Sequence, residues 1–251
     1  MTHFFDILGT IQGFTYLLIL TLLEVVLGID NIIFISIVTD KLPSLKKRKA
    51  RNIGLILALV VRLFLLAIVS IIIGMTGTLF SVYGHDFSGQ SLVLLIGGLF
   101  LIYKSTVEMH SSVKGDEEGG NQKTKSTMAG TVAQIVMVDI VFSFDSVISA
   151  IGMTNGIRTE TGHDPMIIIY FSVIISMVIM LLFSGQISKF ISENPTIKMI
   201  ALSFLLTIGI LLVAEAFEQH IPKGYVYFAL VYSLIVEILN IRMRKNKKND
   251  A

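Results

Sequence analysis

The sequence predicts an all-α, polytopic membrane protein, and three observations carry that prediction. Of the 251 residues, 53% are apolar and only 15% are charged, and the mean hydropathy is +0.79, which leaves too little charge to coat a water-soluble globule of this size. Seven runs are each apolar enough to cross a hydrocarbon core of about 30 Å, a distance that takes roughly 20 residues of helix. The runs are continuously apolar, as in "IGLILALVVRLFLLAIVSIIIGM" (53–75), whereas membrane β-strands read as alternating segments of about ten residues. The balance of 20 Lys+Arg against 18 Asp+Glu excludes a strongly basic nucleic-acid binder. The absence of Cys excludes disulfides, thiol redox chemistry and Cys-ligated zinc.

In order, the expected spans are Phe14–Val38, Ile53–Met75, Ser91–Val107, Met128–Met153, Met166–Gly185, Ile197–Phe217 and Tyr225–Ile241. The first has no basic leader and no small-residue cleavage site, so it is expected to stay as a helix and not to be removed as a signal peptide. Its connection to the second carries Lys41, Lys46, Lys47, Arg48, Lys49 and Arg51; the third connection carries Lys114, Lys123 and Lys125, the fifth Lys189 and Lys198, and the tail Arg242, Arg244, Lys245, Lys247 and Lys248. That places sixteen basic residues on one side, against only Arg158 and Lys223 on the other. The bias predicts an N-terminus outside and a C-terminus in the cytoplasm. The cluster "KKRKAR" (46–51) reads as part of this topology signal and not as a nucleic-acid patch.

The third connection, "SSVKGDEEGGNQKTKS" (111–126), is Gly-rich, charged and without apolar periodicity. It divides the chain into a first three-helix repeat (1–110), a cytoplasmic linker (111–127), and a second three-helix repeat with a seventh helix and basic tail (128–251). Each half starts with an acid-bearing helix. Aligning "LLEVVLGIDNIIFIS" (22–36) with "IVMVDIVFSFDSVISA" (135–150) pairs Glu24 with Asp139, Asp30 with Asp145 and Asn31 with Ser146 at a single offset of 115. A second echo sets "STVEMH", ending at His110, against "EAFEQH", ending at His220. Three helices is an odd number, so a duplicated copy enters the membrane upside down, the inverted-repeat plan of many secondary transporters.

Four carboxylates, Glu24, Asp30, Asp139 and Asp145, lie inside these apolar spans. An acidic residue at the centre of a membrane helix costs about 2.5–3.5 kcal/mol on insertion scales, so four anions facing lipid together are not tenable. Protonation relieves that cost, and so does a bound cation. Residues seven apart nearly coincide around a helix of 3.6 residues per turn, so Glu24 with Asn31 and Asp139 with Ser146 form two stripes of oxygen ligands, with Asp30 and Asp145 approaching from the flank. Gly28 is expected to interrupt the first helix and turn Asp30 inward. All the candidate ligands are hard oxygens, and the five histidines fall at span ends or in connections. This inventory suits Mn²⁺, Mg²⁺ or Ca²⁺ and disfavours Cu⁺ and Zn²⁺; spacing alone does not choose among the first three. Arg62, deep in the second span, either balances a site carboxylate when metal is absent or pairs structurally, and the sequence leaves both open. Lys104, Glu108 and Glu237 read as snorkelling residues near helix ends. Gly97, Gly98 and Gly209 read as sites of close helix packing.

"LTLLEVVLGIDNIIFIS" (20–36), the basic first loop with "GLILALVVRLFLL" (54–66) after it, and "VDIVFSFDSVISAIG" (138–152) resemble the TerC family of integral membrane proteins, related to the LysE-type exporter superfamily. The resemblance covers essentially the whole chain. It implies a multi-pass protein of the bacterial inner membrane, in a family historically linked to tellurium resistance. It also implies Mn²⁺ export, or delivery of metal to proteins outside the cytoplasm, and it maps the family's acidic motif residues onto Glu24, Asp30, Asn31, Asp139, Asp145 and Ser146. The expected function is therefore a divalent-cation exporter, with Mn²⁺ first and proton antiport as the coupling. The alternative is a membrane assembly or metalation factor with a translocation component or a metal-receiving enzyme as partner. No enzymatic activity and no cofactor are expected. An intramembrane aspartyl protease would carry Gly-x-Gly-Asp, where this chain has Leu27-Gly28-Ile29-Asp30. No nucleotide-binding, CBS-like or corrin-binding segment is read in the 251 residues, so ATP-driven or ligand-gated control is not expected.

Overall fold

The computed structural model describes residues 10–68, 78–82, 85–114, 127–161, 166–219 and 221–249. Among the described residues each of the seven apolar runs lies on helix, residues 69–75 of the second run falling outside them. The elements are α1 (Ile11–Leu27), α2 (Ile29–Asp40), α3 (Ser44–Ala67), β1 (Thr78–Val82), β2 (His85–Ser88), α4 (Gly89–Lys114), α5 (Met128–Thr161), α6 (Met166–Glu193), α7 (Pro195–Ala216) and α8 (Gly224–Asn249). Among the described residues six stretches are long and apolar enough to cross a membrane, with α1 and α2 together forming one of them. Among the described residues the apolar stretch of α5, Met128–Phe144, is shorter. The chain is thus an all-α polytopic membrane protein with one small addition, the hairpin.

Two boundaries differ from expectation for identifiable reasons. The helix expected to end at Met153 runs on through Thr161, because polar residues such as Thr154 and Asn155 do not stop a helix, whereas a Pro does, and Pro165 comes only later in the sequence. The connection after the second span contains the antiparallel pair β1–β2, in register at Phe80 with Phe87 and Val82 with His85, which apolar-run counting does not detect. Its two Phe rings stack at 5.5 Å, Phe87 meets Phe217 edge-on at 5.4 Å, and Ser88 caps α4 by accepting from the Ser91 N–H at 3.1 Å. The expected linker begins as helix, since α4 continues to Lys114; residues 115–126 lie outside the described residues.

Two compact units emerge, each drawing on both halves of the chain: residues 1–75 with 125–189, and residues 76–124 with 190–251. In the first unit the exposed residues of α1, Ile11, Phe14, Leu18, Leu22 and Val26, recur at helical spacing and form a lipid-facing stripe, while Gly13, Leu20 and Glu24 face inward. Two dry apolar clusters form inside this unit. One joins Leu20, Leu66, Val147, Ala150 and Ile167–Ile169; the other joins Ile32, Ile35, Leu55, Ala58, Ile135, Met177 and Met180. Along α1–α2, α3 and α5, the residues between the two clusters are the polar ones. In the second unit α4 packs on α7 so closely that a Cβ on Gly98 would sit 2.7 Å from the Gly209 carbonyl oxygen, and one on Gly209 would sit 3.0 Å from the Gly98 oxygen.

The helix is interrupted at Gly28, as expected, but shallowly. Gly28 has φ −83° and ψ −7°, and main-chain bonds still run from its N–H to the Glu24 carbonyl at 2.8 Å and from Ile32 N–H to its own carbonyl at 3.2 Å. The position is a one-residue bend, not an unwound segment. A Cβ there would strike the Met180 thioether and lie 3.0 Å from the Glu24 carbonyl. Gly28→Ala is therefore expected to lower stability by about 1–3 kcal/mol through overpacking, although Ala favours helix by about 1 kcal/mol over Gly. Removing the obstructing side chain as well (Gly28→Ala with Met180→Ala) should cost less than the sum of the single changes by about 1 kcal/mol or more in detergent melting curves. Strictly additive costs would contradict the contact.

Candidate functional site

The polar layer of the first unit gathers side chains from four helices. Glu24 comes from α1 one turn before the Gly28 bend, Asn31 from α2 just after it, Arg62 from α3, and Asp139, Ser143 and Ser146 from α5. These six are at most 4% exposed. The i, i+4, i+7 spacing of the three α5 residues puts them on one face, distinct from the exposed face that carries Ala129, Ala133, Met137 and Ile140.

Arg62 is at the centre of the contacts. Its Nη1 donates to Glu24 Oε2 at 2.7 Å, its Nη2 to Asp139 Oδ1 at 3.3 Å and its Nε to Ser143 Oγ at 2.9 Å. Ser143 in turn donates to Asp139 Oδ2 at 3.1 Å. Asn31 Nδ2 donates to Asp139 Oδ1 at 2.8 Å, and Ser146 lies beside Glu24, while also donating to the Ser143 carbonyl at 3.3 Å. One guanidinium, which never loses its proton in a protein, thus faces two carboxylates. With both ionised, this group carries one uncovered negative charge in a layer bounded by apolar clusters, where electrostatic interactions are strong and unpaired charge is costly.

The donor count leaves specific vacancies in the hydrogen bonding. Asn31 Oδ1 is buried with no partner, and so is Thr21 Oγ1, one turn before Glu24. A buried unpartnered acceptor costs about 1–3 kcal/mol, so each asks for a donor or a cation. Among the described residues no three or more of His, Cys, Asp and Glu gather to hold a metal ion. What gathers is two carboxylates, an amide and two hydroxyls, all hard-oxygen donors, together with Arg62.

Of the six sequence-derived site residues, Glu24, Asn31, Asp139 and Ser146 are brought together. The side chains of Asp30 and Asp145 lie outside the described residues; their backbones are helical, each one residue before Asn31 and Ser146. Arg62 pairs with both Glu24 and Asp139, an arrangement that fits either of the two roles left open for it. Ser143 and Thr21 were missed, although Ser143 sits one helical turn after Asp139 and spacing alone pointed to it. The snorkelling reading of Glu108 and Glu237 is corrected. Glu108 is 3% exposed and pairs with Lys104 at 3.3 Å; Glu237 is 8% exposed and accepts from Thr196 Oγ1 at 2.6 Å. A nearby donor makes burial cheaper than reaching for the surface. Glu215 pairs with Lys223 at 3.1 Å.

The model of the integral membrane protein TerC family matches residues 10–251. The chain belongs to the TerC family. Relatives of this TerC-family chain include the UPF0053 inner membrane protein YgdQ of Escherichia coli, 44% identical over 92% of both chains. The UPF0053 inner membrane protein YoaE of the same organism is 45% identical over 92% of this chain but only 43% of its own length. A UPF0053 protein of Haemophilus influenzae is 41% identical over 97% of this chain and the whole of the relative. No solved structure matches. Together with the apolar helices, the family makes this a multi-pass membrane protein with inner-membrane relatives.

Proposed function

We propose that this TerC-family protein binds a hard divalent cation at Glu24, Asn31, Asp139 and Ser146 and carries it out of the cytoplasm. The observation that carries the reading is the buried, unpartnered amide oxygen of Asn31, set beside Asp139 in a layer where two carboxylates share one guanidinium. A cation answers both needs at once. The oxygen-only donor set favours Mn²⁺, Mg²⁺ or Ca²⁺, and the likeness to a family with Mn²⁺ exporters puts Mn²⁺ first. Asp30 and Asp145, each adjacent to a ligand, would add carboxylates during capture or release.

Reciprocal contacts support the inverted-repeat reading. Asn31 of the first motif reaches Asp139 of the second, while Ser146 of the second lies beside Glu24 of the first, both pairs related by the offset of 115. In such a plan one repeat rocks against the other around a fixed midplane site, with the N-terminus outside and the basic tail in the cytoplasm. Discharge of the ion leaves negative charge to be covered before the carrier returns, by protons on carboxylates or by a cation already within the protein.

Everted vesicles carrying the wild-type chain are the test, with a metal panel and an imposed pH gradient. Mn²⁺ is expected to accumulate while Zn²⁺ and Cu⁺ do not, and Asp30→Asn and Asp145→Asn are expected to insert normally yet accumulate none. Equal uptake of hard ions by wild type and both variants would overturn the reading.

A further inference from the structure

Building on the metal-carrying reading above, we infer that Arg62 is a tethered counter-ion: guanidinium and metal occupy Glu24 and Asp139 alternately, and Arg62 covers these carboxylates while the emptied carrier returns. The geometry favours exchange over a permanent structural clamp. The strongest arginine–carboxylate pairing is a two-point fork on a single carboxylate, whereas Arg62 makes one contact to each of two carboxylates on different helices, at 2.7 and 3.3 Å. Its third contact, from Nε to Ser143 Oγ, is to a hydroxyl that also serves Asp139.

Arg62 contacts both carboxylates but leaves Asn31 Oδ1 without a partner, so the guanidinium does not use every oxygen of the set and the set is better suited to a different cation. Two positive species on the same two carboxylates repel strongly at low dielectric, so metal arrival requires Arg62 to withdraw. Its several rotatable bonds let the head group leave without moving α3. The groups facing Arg62 from the elements packed around it are Glu24 on α1, and Asp139 and Ser143 on α5.

The consequence is a separation of two transport modes. Metal-for-metal exchange moves only loaded carriers, whereas net flux also needs the empty carrier to turn round. Purified full-length chain in proteoliposomes, assayed with radioactive Mn²⁺, reads both. Arg62→Met is expected to keep exchange within about threefold of wild type, to lose about tenfold or more of net flux, and to bind Mn²⁺ about tenfold more tightly because its competitor is gone. Arg62→Lys retains a positive charge and should restore net flux. Proportional loss of both modes, or unchanged Mn²⁺ affinity in Arg62→Met, overturns the inference.

If Arg62→Met does not fold, Arg62→Lys carries the test. A single ammonium cannot span both carboxylates and Ser143 at once, so Mn²⁺ should bind several-fold more tightly with net flux preserved, and wild-type affinity overturns the inference. Wild-type protein that shows neither mode removes the metal-carrying reading and this inference together, whereas parallel loss confined to Arg62→Met strikes the inference alone.

Discussion

Asp139→Asn is expected to abolish metal movement while leaving the protein folded, with thermal stability within about 1 kcal/mol of wild type or above it. The substitution keeps the shape and most of the hydrogen bonds. The side-chain oxygen still accepts from Asn31 and Arg62, which now contact Asp139 Oδ1 at 2.8 and 3.3 Å, and the new amide turns to Ser143, whose hydroxyl is able to accept. Charge is what changes. Arg62 and Glu24 then form a balanced pair, and the second carboxylate is gone from the layer between the two apolar clusters. A dication loses one of its two carboxylates. At an effective dielectric constant near 20, each unit-charge contact at about 4 Å is worth about 4 kcal/mol, so even a largely screened loss of about 3 kcal/mol weakens binding by roughly a hundredfold. Mn²⁺ titration, tracer uptake and melting of one preparation check all three quantities. The contrast with Arg62→Met is sharp: that change leaves two buried carboxylates without their counter-ion and should cost about 3–5 kcal/mol. A stable Asp139→Asn protein that still transports would remove Asp139 from the site.

The second large effect is expected in the other compact unit. Gly98→Ala should destabilise the protein by about 1–3 kcal/mol, and Gly98→Val should prevent recovery of folded protein. A Cβ at Gly98 would lie 2.7 Å from the Gly209 carbonyl oxygen and 3.0 Å from the Val213 N–H nitrogen. These are backbone atoms, so relief requires moving all of α7, unlike the contact of Gly28 with the flexible end of Met180. In lipid, helices associate by close packing of small residues and not by hydrophobic burial, so lost proximity here has no ready replacement. Thermal unfolding in detergent measures the cost, and Mn²⁺ affinity is expected to stay at the wild-type value. Unchanged stability in Gly98→Ala would show that the backbones are further apart than described.

Composition and hydropathy alone determined that this chain is a helical membrane protein, its acidic motifs carried the resemblance to the TerC family, and the 3.6-residue period put Glu24 with Asn31 and Asp139 with Ser146 on two helix stripes, because these are properties of the chain itself. They placed the Gly28 interruption too, but not its depth, nor the approach of Met180 from α6 that leaves no room for a Cβ there. The β1–β2 hairpin escaped because short strands leave no mark in a count of apolar runs. The burial of Glu108 and Glu237 was illegible as well, since a carboxylate snorkels or stays inside according to whether a donor is near it. What only the tertiary structure decided is the partnership of Arg62: a lone arginine in an apolar run carries no record of its partners, and only the packing of α3 against α1 and α5 sets one guanidinium between two carboxylates.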